Sequence, residues 1–276
     1  MEVIDTNRRS RRAAMKSMLG AVAGVSAAAA VTGDAEAQTF GSPATDAAVL
    51  NFALNLEYLE GEYYSYAFYG TSITAQGAGI NGSGVQGGVT IKANPQVPFA
   101  TPAFAAYAKE IADDEINHVK FLRAALASVG VQPVARPQLD LLNSFTTAAR
   151  AAGVVGPTQT FDPFADELSF LVGAYIFEDV GVTAYKGAAP LLKSKPILEA
   201  AAGILAAEAY HAGIVRTLLF AQGAAFQDIT NKISDLRDAL DGAATDLDQG
   251  TLVGGVTNLF PADANSLAYS RNTRKC

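Results

Sequence analysis

Glu115-Ile116-Asn117-His118 and Glu208-Ala209-Tyr210-His211 decide how this chain is read. The 276 residues contain two histidines, and each has a glutamate three positions before it. On a helix, residues three apart leave the same face one turn apart, so each pair aims a carboxylate and an imidazole at one point. A single such pair is ordinarily a helix-surface contact. Glutamate is scarce here and no histidine is spare, so two occurrences read as two metal-binding pairs.

A second pattern lies on two other stretches. Glu57 is followed seven residues on by Tyr64, and Glu178 is followed seven residues on by Tyr185. Seven residues are two helical turns less about 20°, so each tyrosine shares its glutamate's face. The order Glu-x6-Tyr, then Glu-x-x-His, thus occurs twice, which implies two related helical hairpins. Tyr64 and Tyr185 are candidates for hydrogen-bonding the ligands. Glu60, one turn from Glu57, is the alternative ligand of its helix; it has no tyrosine at the matching offset.

Around these residues the chain is patterned as long helices. Residues 45–69 have apolar positions at helical spacing, with Asp46 near the start to complement the dipole. Residues 102–129 open on Pro102 and stop before Gly130. Residues 163–188 are ended by Pro190, and 196–222 are ended by Gly223. Residues 70–101 are rich in Gly, Ser, Thr and Asn and read as a loop or a small hairpin. About thirty residues connect the second long helix to the third, enough to run back along a helix roughly 40 Å long. They hold one short helical piece near 139–152. A second short segment is expected at 229–240, followed by a Gly- and Asn-rich tail. Strand signals are nearly absent, so the fold class is all-α.

The carboxylates lie in apolar surroundings. Glu178 follows Leu171-Val172-Gly173-Ala174-Tyr175-Ile176-Phe177, and Glu208 follows Ala200 to Ala207. Burying ionised carboxylates there is costly unless a cation compensates. Two divalent ions balance four carboxylates with neutral imidazoles. Asp113, Asp114 and Asp179 are expected off the ligand face. Glu62, Glu110, Glu167 and Glu199 are expected to be helix-surface charges.

One glutamate from each of two helices plus Glu-x-x-His from each of two others resembles the ligand set of the ferritin-like superfamily. The closest resemblance, over residues 46–222, is to bacterial exported ferritin-like proteins grouped with plant desiccation-related proteins. It implies a four-helix bundle with a long connection between the second and third helices, here joined by a Gly-rich loop after the first helix and a C-terminal extension. It implies that Glu115 and Glu208 bridge two metals, iron or manganese, with Glu57 and His118 on one and Glu178 and His211 on the other. It implies redox chemistry with O2 or H2O2 (oxidase, ferroxidase or catalase-like) or, alternatively, a non-catalytic stress protein stapled by its metals. No catalytic residue beyond the ligands is assigned. The loop, the connection and the extension are large for a subunit of a storage cage, although a homo-oligomer is left open. No Cys-x-x-Cys pair is present, so a reductive reaction needs an external electron donor.

The first residues read as an address. A twin arginine in Ser10-Arg11-Arg12-Ala13-Ala14-Met15-Lys16 precedes an uncharged Ala/Gly run, and Ala35-Glu36-Ala37 supplies a small-x-small cleavage pattern. This resembles a twin-arginine export signal over residues 1–37 and implies a periplasmic or secreted protein, with no stable membrane insertion after signal removal. The bundle is expected at 38–225 and the extension, with one short helix, at 226–276. Removing 1–37 takes five basic and four acidic residues from a chain with 20 and 27, so the net charge moves from −7 to −8 (15 against 23). That acidity argues against nucleic acid or an anionic membrane surface as partner. The one cysteine, Cys276, cannot form an internal disulfide or a thiolate cluster within one chain.

Overall fold

The computed structural model describes residues 45–241 and 247–272. The expected leader and Cys276 lie outside the described residues. The described residues fall into two compact units, one made of 45–142 and 188–204, the other of 143–187 and 205–272.

In the first unit, α1 (Thr45–Tyr69) and α2 (Pro102–Ser128) pack against one another as a hairpin. Pro102 occupies the first helical position, where its missing N–H costs no bond. Gly130, at φ 73°, ends α2 in the left-handed conformation that glycine adopts without a Cβ clash. Leu54 and Tyr58 of α1 and Ile111, Ala112, Val119 and Leu122 of α2 are buried. Asp46 reaches beyond its own helix: its carboxylate accepts from the backbone N–H groups of Lys193 and Ser194, each at 2.8 Å, at the start of a later helix.

The segment 70–101 is not a self-paired hairpin. It contains a short 3-10 turn at Ile73–Gln76 and a strand β1 (Val89–Thr90), which pairs in parallel with β2 (Leu139–Asp140) of the long connection. The loop runs against that connection so closely that a Cβ on Gly82 would lie 2.0 Å from the Pro133 carbonyl oxygen. Glu62 corrects an expectation: it is fully buried, ion-paired to Arg136, and accepts from Ser72 Oγ (2.9 Å) and Ile73 N (3.3 Å). It ties the loop and the connection to α1.

In the second unit the third long helix is interrupted. α3 (Asn143–Ala152) is followed by α4 (Glu167–Tyr175) and α5 (Glu178–Ala188), where one helix over 163–188 was expected. α4 starts after Asp166, whose carboxylate accepts from Leu168 N (3.0 Å) and Ser169 N (2.8 Å). Between α4 and α5 the bonding tightens to Ile176 N→Gly173 O and Phe177 N→Ala174 O. α6 (Lys195–Ala221) runs from the first unit into the second, and α7 (Ala224–Asp241) is longer than the short helix expected over 229–240. A two-residue hairpin, β3 (Leu252–Val253) with β4 (Val256–Thr257), lies in the tail. Glu167–Leu191 and Lys195–Ala221 are long and apolar enough to cross a membrane by length and composition alone, yet 78% of the first's apolar window is buried inside the protein.

Candidate metal centre

Glu57 from α1 and Glu115 and His118 from α2 form the acid–imidazole group of the first unit. Both carboxylates are wholly buried, and the His118 side chain is 13% exposed. His118 Nδ1 stands 3.2 Å from Glu57 Oε2 and 3.4 Å from Glu115 Oε2. The three side chains offer ligand atoms all within 4.8 Å of one another. The second distance is the three-residue spacing at work; the first comes from the hairpin packing.

The electrostatics of this group call for a cation. Burial, then the charge of Glu115, pushes the Glu57 carboxyl up to about 7, against the lowering effect of His118. Burial opposes the charged imidazolium of His118, but the hydrogen bonds and charges of Glu115 and Glu57 overcome it and push its pKa up to about 12. Two repelling carboxylates thus hold a proton on the imidazole between them. Oxygen and imidazole donors at this separation fit iron, manganese or zinc in place of that proton. Glu60, the alternative on α1, is also buried (4% exposed), but it is Glu57 that meets His118 and Glu115.

Glu178, Glu208 and His211, the residues of the repeated pattern in the second unit, are buried at 2%, 0% and 3% exposure. His211 Nδ1 lies 3.9 Å from Glu178 Oε2. Glu208 lies under α5 at Gly181, where a Cβ would stand 2.2 Å from Glu208 Oε2. Tyr64 and Tyr185 are buried, Tyr64 with its ring edge-on to Tyr63 at 5.2 Å between centroids.

Sequence reading missed the polar network beside Glu178. Asp179, for which the sequence suggested only a place off the ligand face, is buried (8% exposed) and paired to Arg216 (2.7 Å) and Arg237 (2.9 Å). Arg237 Nη1 also donates to the carbonyls of Tyr175 (2.8 Å) and Ile176 (3.3 Å), at the break between α4 and α5. Both guanidinium groups lie over the Tyr175 ring, at 5.5 and 4.9 Å from its centroid. The signal available was Arg216 itself, an arginine inside the apolar run Gly213–Phe220. Asp113, by contrast, is partly exposed and held by Lys109 (2.6 Å) and Tyr69.

Mostly helical units that bury carboxylates and imidazoles on their long helices define a class of helical carboxylate proteins. The ferritin-like domain model matches residues 45–221, and the chain belongs to that family. It is 34% identical over 259 residues to desiccation-related protein PCC13-62 of Craterostigma plantagineum, covering 85% of this chain and 77% of that protein. It is 26% identical over 251 residues to ferritin-like catalase Nec2 of Nesocodon mauritianus, covering 84% and 77%. No solved structure gives a significant match.

Proposed function

We propose that this chain is an exported dinuclear metalloprotein in which Glu57, Glu115, His118, Glu178, Glu208 and His211 hold two iron or manganese ions, and that it disproportionates hydrogen peroxide. The observation that carries the reading is the buried Glu57–Glu115–His118 group, whose charge and donors suit a cation, together with the repeat of its residue pattern at Glu178, Glu208 and His211. The likeness to a protein named ferritin-like catalase supports peroxide as substrate. Two redox-active ions would supply the paired electron changes that convert two H2O2 into two H2O and O2. The chain's own acids and imidazoles must give up their protons to bind them. Their burial keeps bulk water and larger reductants from the reacting oxygen. Run as a disproportionation, the reaction needs no external electron donor.

A second reading, a stress protein whose metals only staple the bundle, is favoured by the 34% likeness to a desiccation-related protein. The deciding experiment loads the protein with Mn²⁺ or Fe²⁺, counts bound ions and follows O2 release from H2O2. Two ions per chain with O2 release supports the catalytic reading. Two ions that raise the melting temperature without turnover support the staple. No bound metal in a folded sample overturns both.

A further inference from the structure

The repeated pattern runs further along the chain than its acids and imidazoles. Arg123 stands five positions after His118, and Arg216 stands five positions after His211. The pattern on α2 and on α6 is therefore Glu-x-x-His-x4-Arg. Five helical residues turn the chain by about 140°, so neither arginine shares its histidine's face. A guanidinium is always a cation without an acceptor, so neither can be a ligand.

In each unit the arginine reaches the equivalent place on another helix, the residue directly after the lone glutamate. In the first unit Arg123 Nη1 donates to the Tyr58 hydroxyl at 2.5 Å, and Tyr58 follows Glu57. In the second unit Arg216 Nη1 donates to Asp179 Oδ2 at 2.7 Å, and Asp179 follows Glu178. The first bond ties α2 to α1 and the second ties α6 to α5. One residue is about 1.5 Å along a helix and about 100° around it. Each bond thus lies beside its glutamate and off the ligand face.

Both acceptors are anchored in turn. Tyr58 is wholly buried, and its hydroxyl donates to Val134 O (3.2 Å). Asp179 also accepts from Arg237 Nη2 (2.9 Å), while Arg237 Nη1 holds the Tyr175 and Ile176 carbonyls just before Glu178. The acceptor is a phenol in one unit and a carboxylate in the other, yet the placement is the same. Buried polar contacts add little net stability over apolar packing. What they add is direction, because a hydrogen bond weakens steeply when donor and acceptor fall out of line. Fixing how one helix slides and turns against its neighbour is what a set of ligands drawn from two helices requires, to within about 0.5 Å.

We propose that Arg123 and Arg216 are equivalent positioning residues, each setting the register of the two helices that supply half of the ligands. Arg123 serves Glu57, Glu115 and His118; Arg216 serves Glu178, Glu208 and His211. The proposal rests on the metal-binding reading above.

The test is Mn²⁺ affinity and the electron paramagnetic resonance spectrum of the bound ions, measured at a temperature where circular dichroism shows every variant folded. Tyr58→Phe keeps the buried ring and removes only the acceptor of Arg123. Tyr58→Phe and Arg123→Met should each weaken Mn²⁺ binding about tenfold and change the spectrum. The double variant should bind no more weakly than either single one, because both remove the same contact. Arg216→Met should weaken binding to a similar extent. Arg216→Lys keeps the charge but not the planar fork, so it should fold and fall between that variant and the parent. Arg136→Met and Arg271→Met are the controls, since each removes a buried cation that joins no pair of ligand-bearing helices. Both should bind Mn²⁺ with parental affinity and spectrum. Parental values in Tyr58→Phe and Arg123→Met, additive losses in their double variant, or parental values in Arg216→Lys overturn the proposal and leave the metal site standing. Equal losses in the two controls overturn it as well, because the effect is then general destabilisation. A parent protein that binds no Mn²⁺ overturns the metal-binding reading and the proposal together.

Discussion

Glu208 Oε2 lies where a side chain on Gly181 would begin: a Cβ built there would stand 2.2 Å from it. Gly181 is three residues after Glu178, on the same face of α5, so the helix that carries one acid makes room for the other. Gly181→Ala must displace the Glu208 carboxylate, the end of a flexible side chain, while the backbone stays put. We expect a small fall in melting temperature and a large fall in bound metal. Metal analysis beside a thermal melt checks this; full metal content in the variant would mean that Glu208 is not a ligand.

Glu57→Gln and Glu60→Gln separate the two acids of α1. Both residues are buried, so burial alone does not choose between them. Glu57 Oε2 contacts His118 Nδ1 at 3.2 Å and lies beside Glu115. The amide keeps size and hydrogen bonding but removes the charge, so Glu57→Gln should lose metal and Glu60→Gln should keep it. The reverse outcome would put the ligand one turn further along the helix.

The metal-free protein should lose stability as pH rises. Glu57 is raised from 4.5 to about 7, so folding favours its protonated form. That contribution is complete below 4.5 and is lost as pH rises to about 7. His118 is raised from 6.5 to about 12, so its contribution is complete below 6.5 and is lost as pH climbs towards 12. Both signs agree: the folded state binds more protons than the unfolded one. Metal competes with those protons, so its affinity should rise over the same range and its uptake should acidify a weakly buffered solution. Melting curves with chelator and with metal, taken across pH, check both trends. A chelated protein whose stability rises steadily from pH 5 to 9 would contradict the protonated group described above.

Arg136→Met tests the buried pair that anchors the Gly-rich loop. Glu62 is fully buried and Arg136 is 6% exposed. Removing the cation leaves a buried carboxylate still accepting from Ser72 and Ile73, and breaking such a pair costs about 3–5 kcal/mol. Glu62→Gln combined with Arg136→Met should recover much of the loss, because no charge is then left behind. Urea denaturation of the two variants measures it; equal stability in both would mean that the charge is not the cause.

Much of this was legible in the sequence because helix periodicity is local. The bounds of α1, α2 and α6, and the His118–Glu115 contact, follow from three- and four-residue spacing. The His118–Glu57 and His211–Glu178 contacts join residues far apart in sequence, and only the repeated pattern hinted at them. The break before Glu178 was not legible, since Tyr175-Ile176-Phe177 contains no proline or glycine. It depends on Arg237, 62 positions after Tyr175, satisfying the carbonyls of Tyr175 and Ile176. Glu62 looked like a surface charge because its partner, Arg136, comes from a segment whose path periodicity cannot predict. The tail looked featureless for the same reason: its order comes from ion pairs, not from an apolar repeat.

Arg271 is where that last point is most exposed to test. Its Nε donates to Thr183 Oγ1 (3.0 Å), its Nη1 to Asp241 (2.8 Å), its Nη2 to Asp248, and its backbone N–H to the Thr183 carbonyl (2.8 Å). The approach to α5 is so close that a Cβ on Gly187 would lie 1.8 Å from the Arg271 carbonyl oxygen. An intact buried network of this kind contributes little net stability, because desolvating the charges offsets their attraction; removing one member is what costs, about 3–5 kcal/mol. Arg271→Met should therefore melt well below the parent. Arg271→Lys should recover only part of the difference, since an ammonium cannot reproduce the planar two-point contact with Asp248. Metal content of the folded protein should stay at the parental value in both, because Arg271 supplies no ligand. Parental melting in Arg271→Met would show that the tail adds nothing to the stability of the helices it covers.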